Sequence, residues 1–138
     1  MEEVIIRQDR NFRLEARARA PEPGAEGEMK PVSSLGDLTP YGMLLASLGS
    51  CTTVVLHTYA QSHGVDLSQA EVRLRYERSF KEDCENCDDI EKYEERIRVN
   101  VAFEGKLSKE DREKLDRVSR LCSIHKILED GIEITTES

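Results

Sequence analysis

The stretch that decides the fold is TPYGMLLASLGSCTTVVLHTYAQSHGV, residues 39–65. Thr39 is a favourable N-cap residue, and Pro40 suits the first helical position, where the missing N–H of proline has no partner to lose. Gly64 is suited to end the helix. Because residues 43–56 are apolar or small on nearly every side, we predict a central helix that is surrounded by protein.

The segments on either side of this helix alternate in the way that is typical of half-buried strands. A hairpin comes before the helix, with Phe12 and Leu14 on its predicted buried face. A strand pair, a helix with a capping box at Ser108 and a short helix ended by Gly131 come after it. The predicted strands cover residues 4–8, 12–18, 72–76, 97–103 and 132–137. This order predicts an α+β fold with an antiparallel sheet, in a single domain that spans residues 1–138.

Composition and charge restrict the possible partners. With 138 residues, of which 38% are hydrophobic and 35% charged, the polar surface is large for the core that it covers, and this favours an oligomer. The net charge of −8 argues against nucleic acid or an anionic membrane surface as the main partner, because both would repel the chain. The first residues lack the pattern of a secretory signal, and no uninterrupted apolar stretch is long enough to span a bilayer. We therefore expect a soluble, cytoplasmic protein.

The four cysteines indicate redox or metal chemistry, because a permanent disulfide framework is rare in a reducing cytoplasm. Cys51 lies inside the long helix. Cys122 lies where one helix passes into a short next one, and unpaired N–H groups at that point would favour its thiolate. Two such thiols, if they meet, suit a cycle in which one reduces a peroxide and the other forms a disulfide with it. The spacing alone favours the alternative of two buried structural cysteines that never meet.

A second cysteine pair, Cys84 and Cys87, lies in the segment DCENC, within an acidic insert between two predicted strands. Thiolates at this spacing can bind one zinc ion, and the surrounding acids would raise the thiol pKa values and attract cations. A tetrahedral site needs two further ligands, from neighbouring acids, a histidine or a partner subunit. A solvent-exposed reduced pair is the alternative. Zinc at this pair is the one cofactor that the sequence suggests, since the peroxide cycle requires none.

Charged residues on the central strands predict ion pairs on a solvated face of the sheet. The arginines are Arg73, Arg75, Arg96 and Arg98, and the opposing glutamates are Glu71, Glu77, Glu94 and Glu95. Two histidines near the helix cysteines, His57 and His125, are expected to pack and to form local hydrogen bonds.

Two segments together resemble the OsmC/Ohr family, the osmotically induced and organic-hydroperoxide-resistance proteins. They are TPYGMLLASLGSCTTVVLHTYAQSHGVDLSQAEVRLRYE and LCSIHKILEDGIEITTE. The family pattern is a proline at the start of a core helix that contains a cysteine, followed later by a CPVH-type cysteine and a closing strand. The resemblance implies antiparallel sheets wrapped around long central helices in an intertwined homodimer. It also implies reduction of organic hydroperoxides, with Cys51 as the peroxidatic thiol, Cys122 as the resolving thiol and a dithiol as the reductant.

The chain departs from this pattern at two places. The peroxidases of the family have a glutamate just after the helix-start proline, which by resemblance holds an arginine that activates the thiolate, whereas Tyr41 and Gly42 follow Pro40 here. Ser123 also stands where proline is usual. The sequence therefore leaves open a non-catalytic member that binds an apolar ligand or a metal. A redox sensor whose disulfide changes the binding of a partner is a further alternative.

Overall fold

The computed structural model describes residues 2–19, 21–22, 25–80 and 93–138. The predicted zinc pair, Cys84 and Cys87, lies outside the described residues, so zinc binding there stays a prediction. Within the described part, the chain forms a five-stranded antiparallel sheet, a two-stranded ribbon and three α-helices. The predicted α+β class is therefore confirmed.

The order of the elements follows the prediction up to the last strand. The strands are β1 (Glu2–Asp9), β2 (Leu14–Arg19), β3 (Pro21–Glu22), β4 (Ala25–Glu26), β5 (Lys30–Pro31), β6 (Asp66–Phe80) and β7 (Tyr93–Lys106). The helices are α1 (Pro40–Ser62), α2 (Lys109–Val118) and α3 (Ser123–Asp130), and a short 3₁₀ turn covers Leu35–Asp37. The large sheet has the order β5-β2-β1-β6-β7, and β3 pairs with β4.

Helix α1 begins and ends where the sequence predicts. Oγ1 of Thr39 accepts a hydrogen bond from the N–H of Gly42 at 3.1 Å, and Pro40 is the first helical residue. The hydroxyl of Thr39 in turn donates to the carboxylate of Glu2, a buried residue of β1. Beyond the last turn, Gly64 has a φ of 64°, which glycine adopts without steric cost. The start of α1 is therefore fixed to the sheet by side-chain hydrogen bonds.

One face of α1 packs against the sheet at short range. A Cβ atom at Gly49 would lie only 2.7 Å from side-chain carbons of both Ile6 and Leu74, so glycine permits this close approach. Leu48 is buried on the same face, and all three of these apolar side chains are close to Cys122 in the main core cluster. The core thus lies between α1, the two central strands β1 and β6, and the start of α3.

The opposite face of α1 is exposed in the single chain. Met43 and Val54 on this face are 38% and 42% exposed, so the prediction of a helix surrounded by protein is not met within one chain. By length and composition α1 is also apolar enough to cross a membrane, contrary to the expectation from the sequence. Its packing against the sheet is nevertheless that of a core helix.

The hairpin of β1 and β2 forms in the predicted place, with Val4 opposite Ala18. The predicted burial of Phe12 and Leu14 is wrong, because both are exposed. Phe12 belongs to the turn between the strands and has a φ of 62°, so its side chain does not follow the alternation of the strand. Its ring lies edge-on to the ring of His57. The alternating pattern predicted a strand that begins at Phe12, two residues before β2 begins at Leu14.

The C-terminal segment differs from the prediction. The expected strand at residues 132–137 does not form within the described chain, and Ile132 and Ile134 are 65% and 82% exposed. A strand needs a neighbour for its backbone groups, and no strand in the described part of the chain pairs with this segment. Its alternating pattern therefore has no strand partner among the residues that the structure describes.

Candidate functional site

The cysteine at the start of α3 occupies the N-cap position. Cys122 has extended backbone angles, and its Sγ accepts a hydrogen bond from the N–H of His125 at 3.2 Å. The side chain is buried, with 1% of its surface exposed. The prediction that Cys122 lies at the N-terminus of a short helix is therefore confirmed. The expectation that the N–H groups there favour its thiolate is not met, because burial raises the pKa of Cys122.

The helix cysteine reaches the same point from α1. Sγ of Cys51 lies 3.8 Å from Oγ of Ser123, the first residue of α3. The backbone N–H groups of Ser123 and Ile124 also act on this sulfur, and its side chain interacts with that of Cys122. The N–H of His125 thus donates to Sγ of Cys122, while the hydroxyl of Ser123 contacts Sγ of Cys51. Both cysteines therefore lie at the start of α3, with Cys122 in the main core cluster and Cys51 packed against that cluster.

The pKa values of the two thiols at the start of α3 are shifted in opposite directions. Burial acts to raise the pKa of Cys51, but the N–H of Ile124, the Cys122 thiol and the hydroxyl and N–H of Ser123 together lower it below its ordinary value. Burial raises the pKa of Cys122, and the neighbouring Cys51 adds to this effect, while the N–H of His125 opposes it. Cys51 is therefore the more acidic of the two thiols.

A groove of about 550 Å³ lies between α1, α3 and the strands β6 and β7. Its walls are largely apolar and include Leu44, Leu48, Ile97, Val99 and Leu128. Leu48 also belongs to the core cluster that contains both sulfurs, and His125 lines the groove three residues after Cys122. Neither Cys51 nor Cys122 is among the residues that line this groove.

A polar cluster borders the groove near the start of α1. Arg78 donates to Glu95 at 2.7 Å and to the hydroxyl of Tyr41 at 3.2 Å, and its guanidinium lies 5.9 Å from the centre of the Tyr41 ring. Tyr76 packs against Tyr41 and, with Glu95, lines the groove. Burial and the Glu95 carboxylate raise the pKa of Tyr76. Sequence reasoning missed this cluster, although Tyr41 follows the helix-start proline.

The ion pairs on the outer face of the sheet are only partly those predicted. Arg98 pairs with Glu77 at 2.9 Å, as expected. Arg73 instead pairs at 2.7 Å with Glu3, a buried residue of β1 that also has Arg75 within 3.9 Å. The strand register explains this difference, because Glu3 lies directly opposite Arg75 on the neighbouring strand.

The histidines behave as the sequence predicts. Nε2 of His57 lies 2.7 Å from the backbone oxygen of Gln8 in the core, and the ring of His125 pairs with Glu129 one turn later in α3. Among the described residues, no group of three or more histidine, cysteine, aspartate or glutamate side chains is arranged to hold a metal ion.

Comparisons with known proteins agree with this fold. The chain matches the OsmC-like protein family over residues 33–137. It is similar in structure to an OsmC-like hydroperoxide resistance protein from Jannaschia sp. CCS1, with 14% identity and a TM-score of 0.63 over 96% of this chain and 90% of that one. It is also similar to the organic hydroperoxide resistance protein OsmC from Legionella pneumophila, with 13% identity and a TM-score of 0.52 over 90% of this chain and 88% of that one. No curated protein matches the chain.

Proposed function

Because the chain belongs to the OsmC-like protein family, we propose that it is a thiol-dependent peroxidase that reduces organic hydroperoxides. The observation that carries this proposal is the meeting of two sulfurs of different acidity at the N-terminus of α3. A pair of titratable groups whose environments push their pKa values apart can divide the roles of nucleophile and proton donor. Cys51 is then the nucleophile and Cys122 the resolving thiol.

In the first step, the Cys51 thiolate attacks the terminal oxygen of the hydroperoxide. The S–O bond forms as the O–O bond breaks, so the sulfur is oxidised to a sulfenic acid and the substrate is reduced to an alcohol, which takes up one proton. Because the thiolate is the reactive form, the donors that lower the pKa of Cys51 increase the fraction that reacts.

In the second step, Cys122 attacks the sulfenic sulfur of Cys51. A disulfide forms, and the hydroxyl group leaves as water with the thiol proton of Cys122. An external dithiol then reduces the disulfide by thiol exchange and becomes a disulfide itself, which returns both cysteines to the reduced state. The whole cycle converts one hydroperoxide and one dithiol to an alcohol, a water molecule and a disulfide.

The groove between α1, α3 and the strands β6 and β7 supports an organic substrate over hydrogen peroxide. Its largely apolar walls, with Leu44 and Val99 among them, favour an alkyl or aryl group that leaves water on binding. Both structural neighbours are named as hydroperoxide resistance proteins, which is consistent with this substrate class.

We further propose that the working form is a cytoplasmic homodimer. The exposed apolar face of α1, with Met43 and Val54, and the unpaired C-terminal segment, with Ile132 and Ile134, support a second copy as the partner. Apolar side chains grouped on one exposed face are typical of an interaction surface. The net charge of −8 disfavours nucleic acid and anionic membranes in this role.

A second candidate function is binding of an apolar ligand without catalysis. The observation that favours it is Tyr41, which stands after the helix-start proline and holds Arg78 through its hydroxyl at 3.2 Å. Arg78 is thereby engaged at the start of α1 with Tyr41 and Glu95. In this case the groove binds the ligand, and the two thiols do not pass through a cycle of oxidation and reduction.

A single-turnover experiment separates the two candidates. The chain with Cys84→Ser and Cys87→Ser is mixed with one equivalent of cumene hydroperoxide, and its cysteine peptides are mapped by mass spectrometry. We expect a Cys51 to Cys122 disulfide within seconds, reversal by dithiothreitol, and loss of turnover when Cys51→Ser is added. If both thiols stay free, or react no faster than a small-molecule thiol, the proposed peroxidase function is wrong and binding of an apolar ligand without catalysis is favoured.

A further inference from the structure

Ser123, the first residue of α3, has two hydrogen-bond donors near Cys51, the proposed nucleophile. Oγ of Ser123 is 3.8 Å from Sγ of Cys51, and the N–H of the same residue also acts on that sulfur. Position 123 is the first helical position, where an N–H has no partner within the helix and is free to serve a neighbouring group. The hydroxyl and the N–H therefore reach Cys51 without any cost to the helix.

Burial has the largest effect on the pKa of Cys51 and raises it, and the groups that lower this pKa are uncharged donors. They are the N–H of Ile124, the thiol of Cys122 and the two groups of Ser123. Arg78 is bound to Glu95 and Tyr41 at the start of α1, and Arg73 is bound to Glu3 on the outer face of the sheet. Hydrogen bonds at a helix N-terminus are an established means of favouring a cysteine thiolate.

We infer that Ser123 is a positioning residue that stabilises the Cys51 thiolate through both its hydroxyl and its backbone N–H. A role of Ser123 in catalysis rests on the proposed peroxidase function, whereas its stabilisation of the Cys51 thiolate does not depend on that function. Ser123 orients and holds the charged sulfur, and takes no part in bond breaking. The residue type matters because alanine keeps only the N–H, threonine keeps both donors and proline keeps neither.

These differences define a graded test on the full-length chain. The rate of iodoacetamide labelling at Cys51 is followed by peptide mapping as a function of pH, for wild type, Ser123→Ala, Ser123→Thr and Ser123→Pro. Proline is compatible with the first helical position, so α3 is expected to form in every variant, as far-UV circular dichroism would check. We expect the midpoint of labelling to rise by about half a pH unit in S123A and by about one unit in S123P, with S123T close to wild type.

Ser50→Ala is the matched control. Ser50 precedes Cys51 in the chain, but its hydroxyl donates to the backbone oxygen of Ser47 at 3.2 Å, so its removal should leave the labelling midpoint unchanged. Equal midpoints in wild type, S123A and S123P would overturn the inference. Graded midpoints without peroxide turnover would overturn the proposed function instead, and leave the role of Ser123 intact.

Discussion

Sγ of Cys122 accepts a hydrogen bond from the N–H of His125 at 3.2 Å, so the proposed resolving thiol is also the N-cap of α3. This double role predicts that serine and alanine at position 122 differ in stability. Serine can accept the same hydrogen bond, whereas alanine leaves the N–H without an acceptor, which costs about 1 kcal/mol. We expect Cys122→Ala to lower the free energy of unfolding by about that much more than Cys122→Ser, in urea titrations followed by circular dichroism. Equal losses would show that the sulfur does not cap the helix.

The two thiols should differ in the pH at which they become reactive. Since the pKa of Cys51 is lowered and that of Cys122 is raised, the thiolate of Cys51 appears first as the pH rises. Pulse labelling with iodoacetamide at a series of pH values, with peptide mapping, should modify Cys51 at a lower pH than Cys122. In concentrated urea both cysteines should react alike, since the helix terminus that separates them is lost. A reversed order in the folded protein would reverse the proposed roles.

On the outer face of the sheet, loss of the buried carboxylate of Glu3 should lower the stability more than loss of a more exposed carboxylate. The side chain of Glu3 is 6% exposed and pairs with Arg73 at 2.7 Å. Glu3→Gln removes the carboxylate that Arg73 and Arg75 share and leaves these two arginines without it, so we expect the free energy of unfolding to fall by about 2 kcal/mol. Glu77, which pairs with the more exposed Arg98, provides the control, and Glu77→Gln should cost less than about 1 kcal/mol. Similar losses in the two variants would contradict the prediction.

The close contact of α1 with the sheet depends on one glycine. An alanine Cβ at Gly49 would lie 2.7 Å from carbons of Ile6 and Leu74 in the core. The helix or the strands must then move, and we expect Gly49→Ala to lower the free energy of unfolding by about 1–3 kcal/mol. At Gly36 the nearest atom would be 3.8 Å away, so Gly36→Ala should leave the stability within about 0.5 kcal/mol of wild type. Chemical denaturation of both variants checks this difference.

The features that the sequence predicted well depend on short-range contacts. Thr39 and Ser108 cap their helices through residues three positions later, and Cys122 does the same for α3. The meeting of Cys51 with Cys122 could not be derived from spacing, because it depends on how α1 and α3 pack. It came from the family resemblance.

The features that were missed depend on register or on contacts between distant segments. The partner of Arg73 is Glu3, which is 70 residues away in the chain and adjacent only once β1 and β6 pair. The groove likewise forms only when α3 lies beside β7. The C-terminal alternation at residues 132–137 predicts a strand, but a strand also needs a neighbour, and the sequence pattern does not say whether the neighbour belongs to the same chain.

The exposed face of α1 should hold the proposed homodimer together. Val54 is 42% exposed on this face, and a carboxylate there would lose its hydration if a second copy covered it. We expect Val54→Glu to weaken dimerisation by roughly 100-fold, seen as a shift to monomer in light scattering across a dilution series. Lys109→Glu, at the first residue of α2 and outside α1, controls for added negative charge and should leave the dimer intact. If the wild type is monomeric at all concentrations, or if V54E remains fully dimeric, this face of α1 is not the interface.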